Sequence, residues 1–305
     1  MSGNSSAPER VGRGGLVLQT DSCAKINLGL HVLERLPNGY HRIETGIVFI
    51  DWTDRITLRP APEWSLTLSE PSIPADERNL VTKAYRAFER KVGCSTAYRV
   101  EVVKRIPAGA GLGGGSGNAA AMLRLLNHAE KAGLSTDELV ELSRGLGSDI
   151  ALFLVGRPGL ATGTGHDIET LDVRPDAWIV TAWPGFGSAT AEAYALCEPE
   201  PEPVLPLRRI LTREPLDEWP VLLVNDLEPA VVARYDMVGL LKAQMTEFGA
   251  VYASMTGSGS AVFGLFEQEF VARHALDSLR ALGVASNLTP PGYVPDMEIR
   301  ERRLR

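Results

Sequence analysis

Between a strand-like segment and a helix-like one the chain reads Pro107-Ala108-Gly109-Ala110-Gly111-Leu112-Gly113-Gly114-Gly115-Ser116-Gly117. Glycine has no Cβ, so such a loop can turn at positive φ and let a ligand approach the main chain. At a helix start it aims several N–H groups at one point, where the helix dipole adds partial positive charge. The combination makes an anion site, most often for phosphate. Flexible linkers have a similar composition, but they join polar, structureless flanks. Here the flanks are the alternating Tyr98-Arg99-Val100-Glu101-Val102-Val103 and a helix face of Ala119, Met122, Leu123, Leu126 and Ala129.

Two common nucleotide loops do not fit. A Walker A loop needs a lysine just after its last glycine, whereas Ser116, Gly117 and Asn118 follow Gly115. A dinucleotide fingerprint can be laid on Gly109, Gly111 and Gly114, but the acidic residue it requires at a strand end is absent, because Glu130 falls inside a helical pattern. Ser116 reads either as a cap of the following helix or as a hydroxyl for a phosphate or a magnesium ion.

Other polar residues sit where polarity is costly. Asp149 lies between Gly147-Ser148 and the apolar run from Ile150 to Val155. An acid there must be paired, capped or turned to a cleft, and by spacing alone it reads as a helix cap. Lys25 interrupts the strand-like Cys23-Ala24-Lys25-Ile26-Asn27, and Asn27 faces the same side. Asn38-Gly39 is a turn signal that carries Tyr40 and His41. Asn79 precedes a helical pattern and reads as its N-cap or as a ligand contact. Lys104 puts a cation just before the glycine loop, and Thr256-Gly257-Ser258-Gly259 forms a second, shorter glycine turn between strand-like runs.

The elements that must position these residues mix strands and helices without strict alternation, which predicts an α+β protein. Strands are expected at Leu16 to Leu18, Ala24 to Leu33, Gly46 to Ile50, Arg55 to Leu58, Trp178 to Trp183, Val251 to Met255 and Ala261 to Phe266. Helices are expected from Asn79, after the glycine loop, after the Ser135/Glu138 capping box, over Pro229 to Phe248 and over Glu267 to Leu282. The proline-rich stretch from Cys197 to Val204 reads as an exposed connection. The segment from Met297 onward reads as loose, and residues 1–15 read as a disordered tail that is neither signal peptide nor membrane span.

Length and composition bound the rest. The 305 residues suffice for one large domain or two ordinary ones. A net charge of −7, without a long basic run, argues against nucleic acid as the main partner. Three scattered cysteines without a metal-binding spacing suit a reducing, cytoplasmic setting.

Taken in order, the glycine loop, Ala24-Lys25-Ile26-Asn27-Leu28-Gly29-Leu30, Asn38-Gly39-Tyr40-His41, Leu146-Gly147-Ser148-Asp149, Asn225-Asp226-Leu227-Glu228 and Thr256-Gly257-Ser258-Gly259 resemble the GHMP kinase superfamily. Within it they look like the 4-diphosphocytidyl-2-C-methyl-D-erythritol kinase family of the non-mevalonate isoprenoid pathway, from about Ser22 to about Phe266. Each motif alone is moderately specific, and the ordered set is highly specific. The Asn-Gly-Tyr-His element sets this family apart from homoserine and mevalonate kinases of the same superfamily. An RNA-binding module remains a rival from another class, opposed by the acidic balance.

The resemblance implies two domains, an N-terminal ribosomal-protein-S5-like domain over residues 16–171 and a C-terminal ferredoxin-like α/β domain over residues 172–305, with the active cleft between them. It implies ATP as phosphoryl donor and Mg2+ as its companion, with small-molecule substrates and neither nucleic acid nor membrane as partner. Asp149 would take the proton of the substrate 2-hydroxyl, and Lys25 would hold Asp149 ionised and screen the moving phosphoryl group. Residues Pro107 to Gly117, Asn79 and Lys104 would hold ATP. Asn27, Tyr40, His41, Thr190, Tyr194, Thr256 and Gly257 would hold the substrate, with Tyr40 and Tyr194 sandwiching the cytosine and His41 reading its edge. Such loops carry a second serine where this chain has Gly117, which removes one hydroxyl.

Overall fold

A computed structural model describes residues 16–173, 175–200 and 205–303. The expected N-terminal tail lies outside the described residues, as does the end of the proline-rich connection.

The chain runs β1 (Leu16–Arg35), β2 (His41–Ala61), β3 (Ser65–Leu68), α1 (Leu80–Lys91), β4 (Ala97–Val103), α2 (Gly114–Ala129), α3 (Thr136–Ser143), α4 (Ile150–Val155), β5 (Gly159–Thr162), β6 (Asp167–Thr170) and β7 (Trp178–Trp183). It continues with α5 (Thr190–Leu196), α6 (Leu207–Arg213), α7 (Trp219–Leu222), α8 (Glu228–Arg234), α9 (Asp236–Glu247), β8 (Tyr252–Met255), β9 (Val262–Phe266), α10 (Glu269–Ala281), β10 (Ala285–Thr289) and β11 (Arg300–Arg303). Among the described residues no helix is long and apolar enough to cross a membrane.

Two sheets organise these elements, and the α+β expectation holds. The first has the order β11-β1-β2-β4-β3, with β5 on β2 and β6 on β5. The second is antiparallel in the order β10-β7-β9-β8. With helices between β7 and β8 and between β9 and β10, it is the split arrangement of a ferredoxin-like unit.

β1 and β2 are apolar on both faces because both faces are covered. On one side Phe49 and Leu58 meet Tyr85 and Phe88 of α1 and Leu123 of α2. On the other, Ile26, Leu28, Val48 and Ile50 share a core with Ile179 of β7 and Phe263 of β9. The alternate β7 and β9 residues, Val180, Val262 and Phe266, point to a third core with Leu241 of α9 and Leu279 of α10. This period-two alternation stacks the second sheet between the first sheet and its own helices.

Three sequence expectations change. The polar residues Gln19 to Ser22 do not break β1, because tertiary partners satisfy the first three: Gln19 bonds Thr57, Thr20 donates to the Glu298 carbonyl, and Asp21 pairs with Arg55 and Arg300. The segment from Met297 is not loose as a whole, since β11 pairs antiparallel with Leu16 to Gln19 of β1 and Arg300 anchors it on Asp21. The single helix expected over Pro229 to Phe248 is two, broken at Tyr235 (φ −133°, ψ 85°), whose ring packs on Phe186. The capping box forms as expected, Ser135 accepting from the Glu138 N–H and the Glu138 carboxylate accepting from the Ser135 N–H.

Candidate active site

The glycine loop enters α2 through left-handed turns at Gly109, Gly111 and Gly113 (φ 68°, 77° and 70°). Gly113 is the N-cap, and the first helical bond runs from Gly117 N to Gly113 O. The N–H groups of Gly114, Gly115 and Ser116 therefore point out of the helix mouth. Ser116 stands within the first turn, so it is not the cap residue; that role falls to Gly113. A Cβ at Gly117 would lie 2.6 Å from Ser22 Oγ, against β1. A side chain there would enter the interior, so the missing serine removes nothing from the loop's outer face.

Lys25 and Asn27 lie on the same side of β1. The Lys25 ammonium donates to Asn27 Oδ1 at 2.6 Å and to the Gly111 carbonyl at 2.9 Å, and lies 3.6 Å from Asp149 Oδ2. Burial pulls Lys25 below the ordinary lysine value, and Asp149 opposes that pull. Asp149 occupies the N-cap position of α4 but makes no side-chain cap bond; its carboxylate turns toward Lys25 instead. The cap reading is thus right for the position and wrong for the side chain.

Two cavities meet at this loop. The first, about 710 Å³, is lined by Lys25, Asn27, Asp149, Tyr40, His41, Thr190, Tyr194 and Gly257. The second, about 500 Å³, is lined by every loop residue from Pro107 to Ser116, with Asn79 and Lys104 at its wall. Gly109, Gly111, Gly113 and Thr190 border both. Each has the size of a small-molecule pocket. The geometry suits transfer of a charged group from one compartment to the other across a shared backbone wall.

At the second cavity two expected contacts carry structural duties. Asn79 caps α1, accepting from Val81 N at 2.9 Å and donating to Pro74 O at 2.8 Å. Lys104 is ion-paired with Asp54 while it lines this cavity. Sequence reasoning missed Asp54. Its carboxylate is fully buried and also accepts from Arg105 N at 2.7 Å, Ile106 N at 2.9 Å and Asn118 Nδ2 at 3.0 Å. One carboxylate thereby ties both ends of the glycine loop to β2. The local sequence does not mark it, since Asp54 stands among Asp51, Thr53 and Arg55; its complete burial is what demands the pairing.

At the far end of the first cavity, His41 stacks on Tyr194 with centroids 5.0 Å apart, too close for a third ring between them. Tyr40 is 63% exposed at the rim. His41, rather than Tyr40, stands against Tyr194 here, and Tyr40 lies outward just beyond the Asn38-Gly39 turn. Burial and the nearby Arg35 guanidinium hold His41 below its usual value, and burial pushes the Tyr194 phenol up to about 12. Arg35, Ser148 and Thr164 line this cavity and were not anticipated. Thr190 bonds Ser258 at 2.9 Å, joining α5 to the second glycine turn. Thr256 is corrected: it is fully buried and its hydroxyl is spent on Asn27, so only Gly257 and Ser258 of that turn reach the cavity.

Comparison with known proteins agrees with this layout. Residues 79–157 match the GHMP kinases N terminal domain, and residues 209–285 match the GHMP kinases C terminal domain. The 4-diphosphocytidyl-2-C-methyl-D-erythritol kinase of Salinibacter ruber is 38% identical over 90% of this chain and 98% of its own length. The enzyme of the same name from Chlorobium phaeobacteroides is 38% identical over 90% of this chain and 96% of its own. Among solved structures, a 4-(cytidine 5'-diphospho)-2C-methyl-D-erythritol kinase superposes with a TM-score of 0.77 at 31% identity, covering 90% of this chain and 99% of that one. A homoserine kinase from Cytophaga hutchinsonii, at a TM-score of 0.65 and 14% identity, shares the fold alone. The chain belongs to the 4-diphosphocytidyl-2-C-methyl-D-erythritol kinase family of the GHMP kinases.

Proposed function

We propose that this kinase transfers the γ-phosphoryl group of ATP to the 2-hydroxyl of 4-diphosphocytidyl-2-C-methyl-D-erythritol, giving the 2-phosphate and ADP. The observation that carries the reading is the Lys25–Asp149 pair beside a glycine loop that two cavities share. The relatives' names supply the substrate; the site supplies the roles. ATP occupies the second cavity with its phosphates on the N–H groups of Gly114, Gly115 and Ser116. The cytidine substrate occupies the first cavity, with its base near Tyr40, His41 and Tyr194.

Asp149 accepts the proton as the 2-oxygen forms its bond to the γ-phosphorus. The bond to the bridging oxygen breaks, and ADP leaves with that electron pair. Lys25, held by Asn27 and the Gly111 carbonyl, places a positive charge where the transferred group crosses. Asn27 orients the hydroxyl. Mg2+ arriving with ATP would find hard oxygen donors in Ser116 and Asp149, and it would neutralise phosphate charge. Among the described residues no cluster of three or more His, Cys, Asp or Glu forms a metal cage, so waters and phosphates would complete its shell.

We place the domain boundary near residues 171 and 172, where the first sheet gives way to β7, with β11 returning to the first sheet. The partners are two small molecules rather than nucleic acid or membrane, in the cytoplasm; the net charge of −7 and three unpaired cysteines support this. An ADP-release assay tests the reading: turnover is expected with the cytidine diphosphate substrate and not with its uridine analogue, homoserine or mevalonate. Turnover of homoserine or mevalonate instead would replace it.

A further inference from the structure

The segment Asn225-Asp226-Leu227-Glu228 lies outside the cavities, yet its polar atoms converge on the second glycine turn. Asn225 is only 6% exposed and uses both ends of its amide. Its Nδ2 donates to the Met255 carbonyl and to the Gly257 carbonyl, each at 2.8 Å, and its Oδ1 accepts from Leu227 N at 3.1 Å. These carbonyls belong to the residues on either side of Thr256. Glu228 adds a bond from Met255 N at 2.8 Å.

Thr256 faces the site from behind. Its Oγ1 accepts from Asn27 N at 2.9 Å and donates to Asn27 Oδ1 at 3.2 Å. The same Oδ1 receives the Lys25 ammonium, while Asn27 Nδ2 donates to Thr45 Oγ1 at 2.9 Å. The two ends of the Asn27 amide are therefore distinguished by their partners. Gly257 packs so closely that a Cβ on it would lie 3.0 Å from Asn27 Oδ1, and a Cβ on Gly111 would lie 2.3 Å from the Thr256 carbonyl. Any shift of the turn would move Asn27, Lys25 and the glycine loop together. The clamp is itself tied to β1, through Leu30 N to Val224 O at 2.8 Å and Asp226 N to Leu30 O at 2.9 Å.

We infer that Asn225 is a positioning residue for phosphoryl transfer: by holding the two carbonyls that flank Thr256, it sets the Asn27 amide and, through it, the Lys25 ammonium. The inference rests on the roles proposed above for Lys25 and Asp149. A replacement that cannot donate frees both carbonyls, and displacement of reacting groups by about 1 Å costs roughly 100-fold in rate. Neither cavity is lined by Asn225, so substrate affinity should be spared.

The test compares Asn225→Ala and the near-isosteric Asn225→Asp with wild type in steady-state kinetics of the full chain, with folded fraction measured by circular dichroism. Leu279→Ala, which hollows the third core, serves as a destabilised control. The expected result is a kcat per folded molecule reduced about 100-fold, KM values for both substrates near wild type, and no further loss when Asn225→Ala is added to Asn27→Ala. Leu279→Ala should keep its kcat per folded molecule despite a lower melting temperature. If Asn225→Ala is too unstable to assay, Asn225→Asp and the additivity measurement carry the decision. Wild-type kcat in a folded Asn225 variant, or full additivity with Asn27→Ala, overturns the inference. Asp149→Asn, run in parallel, separates the two failures. Its normal turnover would remove the underlying reading, whereas its loss of turnover beside normal Asn225 variants removes the positioning role alone.

Discussion

The Lys25 ammonium stands 3.6 Å from the Asp149 carboxylate, and their side chains are 6% and 30% exposed. The cation is the buried partner, and burial lowers its affinity for a proton. The unfolded chain keeps the ordinary lysine value of 10.5. Between the lower folded value and 10.5 the unfolded state binds more protons, so stability rises with pH there. Below the folded value both states are charged and the cost of burial is present in full. Lys25→Met, which removes that titration, should lose turnover yet unfold no more readily than wild type at neutral pH. Wild type should gain on the variant as pH is raised toward 10.5. Urea unfolding across pH checks this, and a stability difference that does not change with pH would contradict it.

The glycine loop offers a contrast between two substitutions. A Cβ at Gly115 would meet only Leu80 Cδ1, at 3.7 Å, and its φ is unstrained. Gly115→Ala should leave stability unchanged or raise it by up to about 1 kcal/mol, while KM for ATP rises because the methyl occupies the helix mouth. Gly111→Ala should destabilise the protein outright, since its φ is 77° and its Cβ would lie 2.3 Å from the Thr256 carbonyl. Gly115→Ala with an unaltered KM for ATP would mean that phosphates do not approach this backbone.

Asp54 makes a structural prediction. Asp54→Ala strands the Lys104 ammonium, whose side chain is 7% exposed, and leaves the Arg105 and Ile106 N–H groups without their acceptor. Breaking a buried pair costs about 3–5 kcal/mol. Denaturant unfolding should show that loss, and the double variant Asp54→Ala with Lys104→Met should recover part of it. No recovery would mean that the pair contributes little beyond the two backbone bonds.

For the base end, Tyr194→Ala and Tyr40→Ala should each raise KM for the cytidine substrate more than they lower kcat, because stacking acts alike on ground and transition states. Stacking is worth roughly 1–3 kcal/mol per base, about a 5- to 150-fold change. Phenylalanine at either position should be nearly silent. His41 replacement should erode the preference for cytosine over uracil. Unchanged KM in both tyrosine variants would place the base elsewhere.

Local signals carried much of this architecture. The capping box at Ser135, the strand Trp178–Trp183 and the glycine-to-helix junction follow from residues adjacent in the chain. Long-range pairing hid the rest. The polar stretch Gln19 to Ser22 looks like a strand break until Arg300, far along the chain, is placed on Asp21. The arginine-rich end looks loose because its pairing edge belongs to β1. In the site, Lys25, Asn27 and Asp149 were legible as polar residues set in apolar surroundings. Asp54 and Asn225 were not, because their duty is toward backbone atoms dozens of residues away, which leave no pattern in the local sequence. The spent hydroxyl of Thr256 was hidden for the same reason.

The most direct test of the central claim is a single-turnover measurement of phosphoryl transfer with Asp149→Asn, Lys25→Ala and the double variant, at saturating ATP and cytidine diphosphate substrate. Loss of a general base costs roughly 100- to 10,000-fold. The account predicts a loss in that range for each single variant, near-normal binding of both substrates, and a double variant scarcely worse than the singles because the two act as one unit. Turnover within a few-fold of wild type in Asp149→Asn would contradict it.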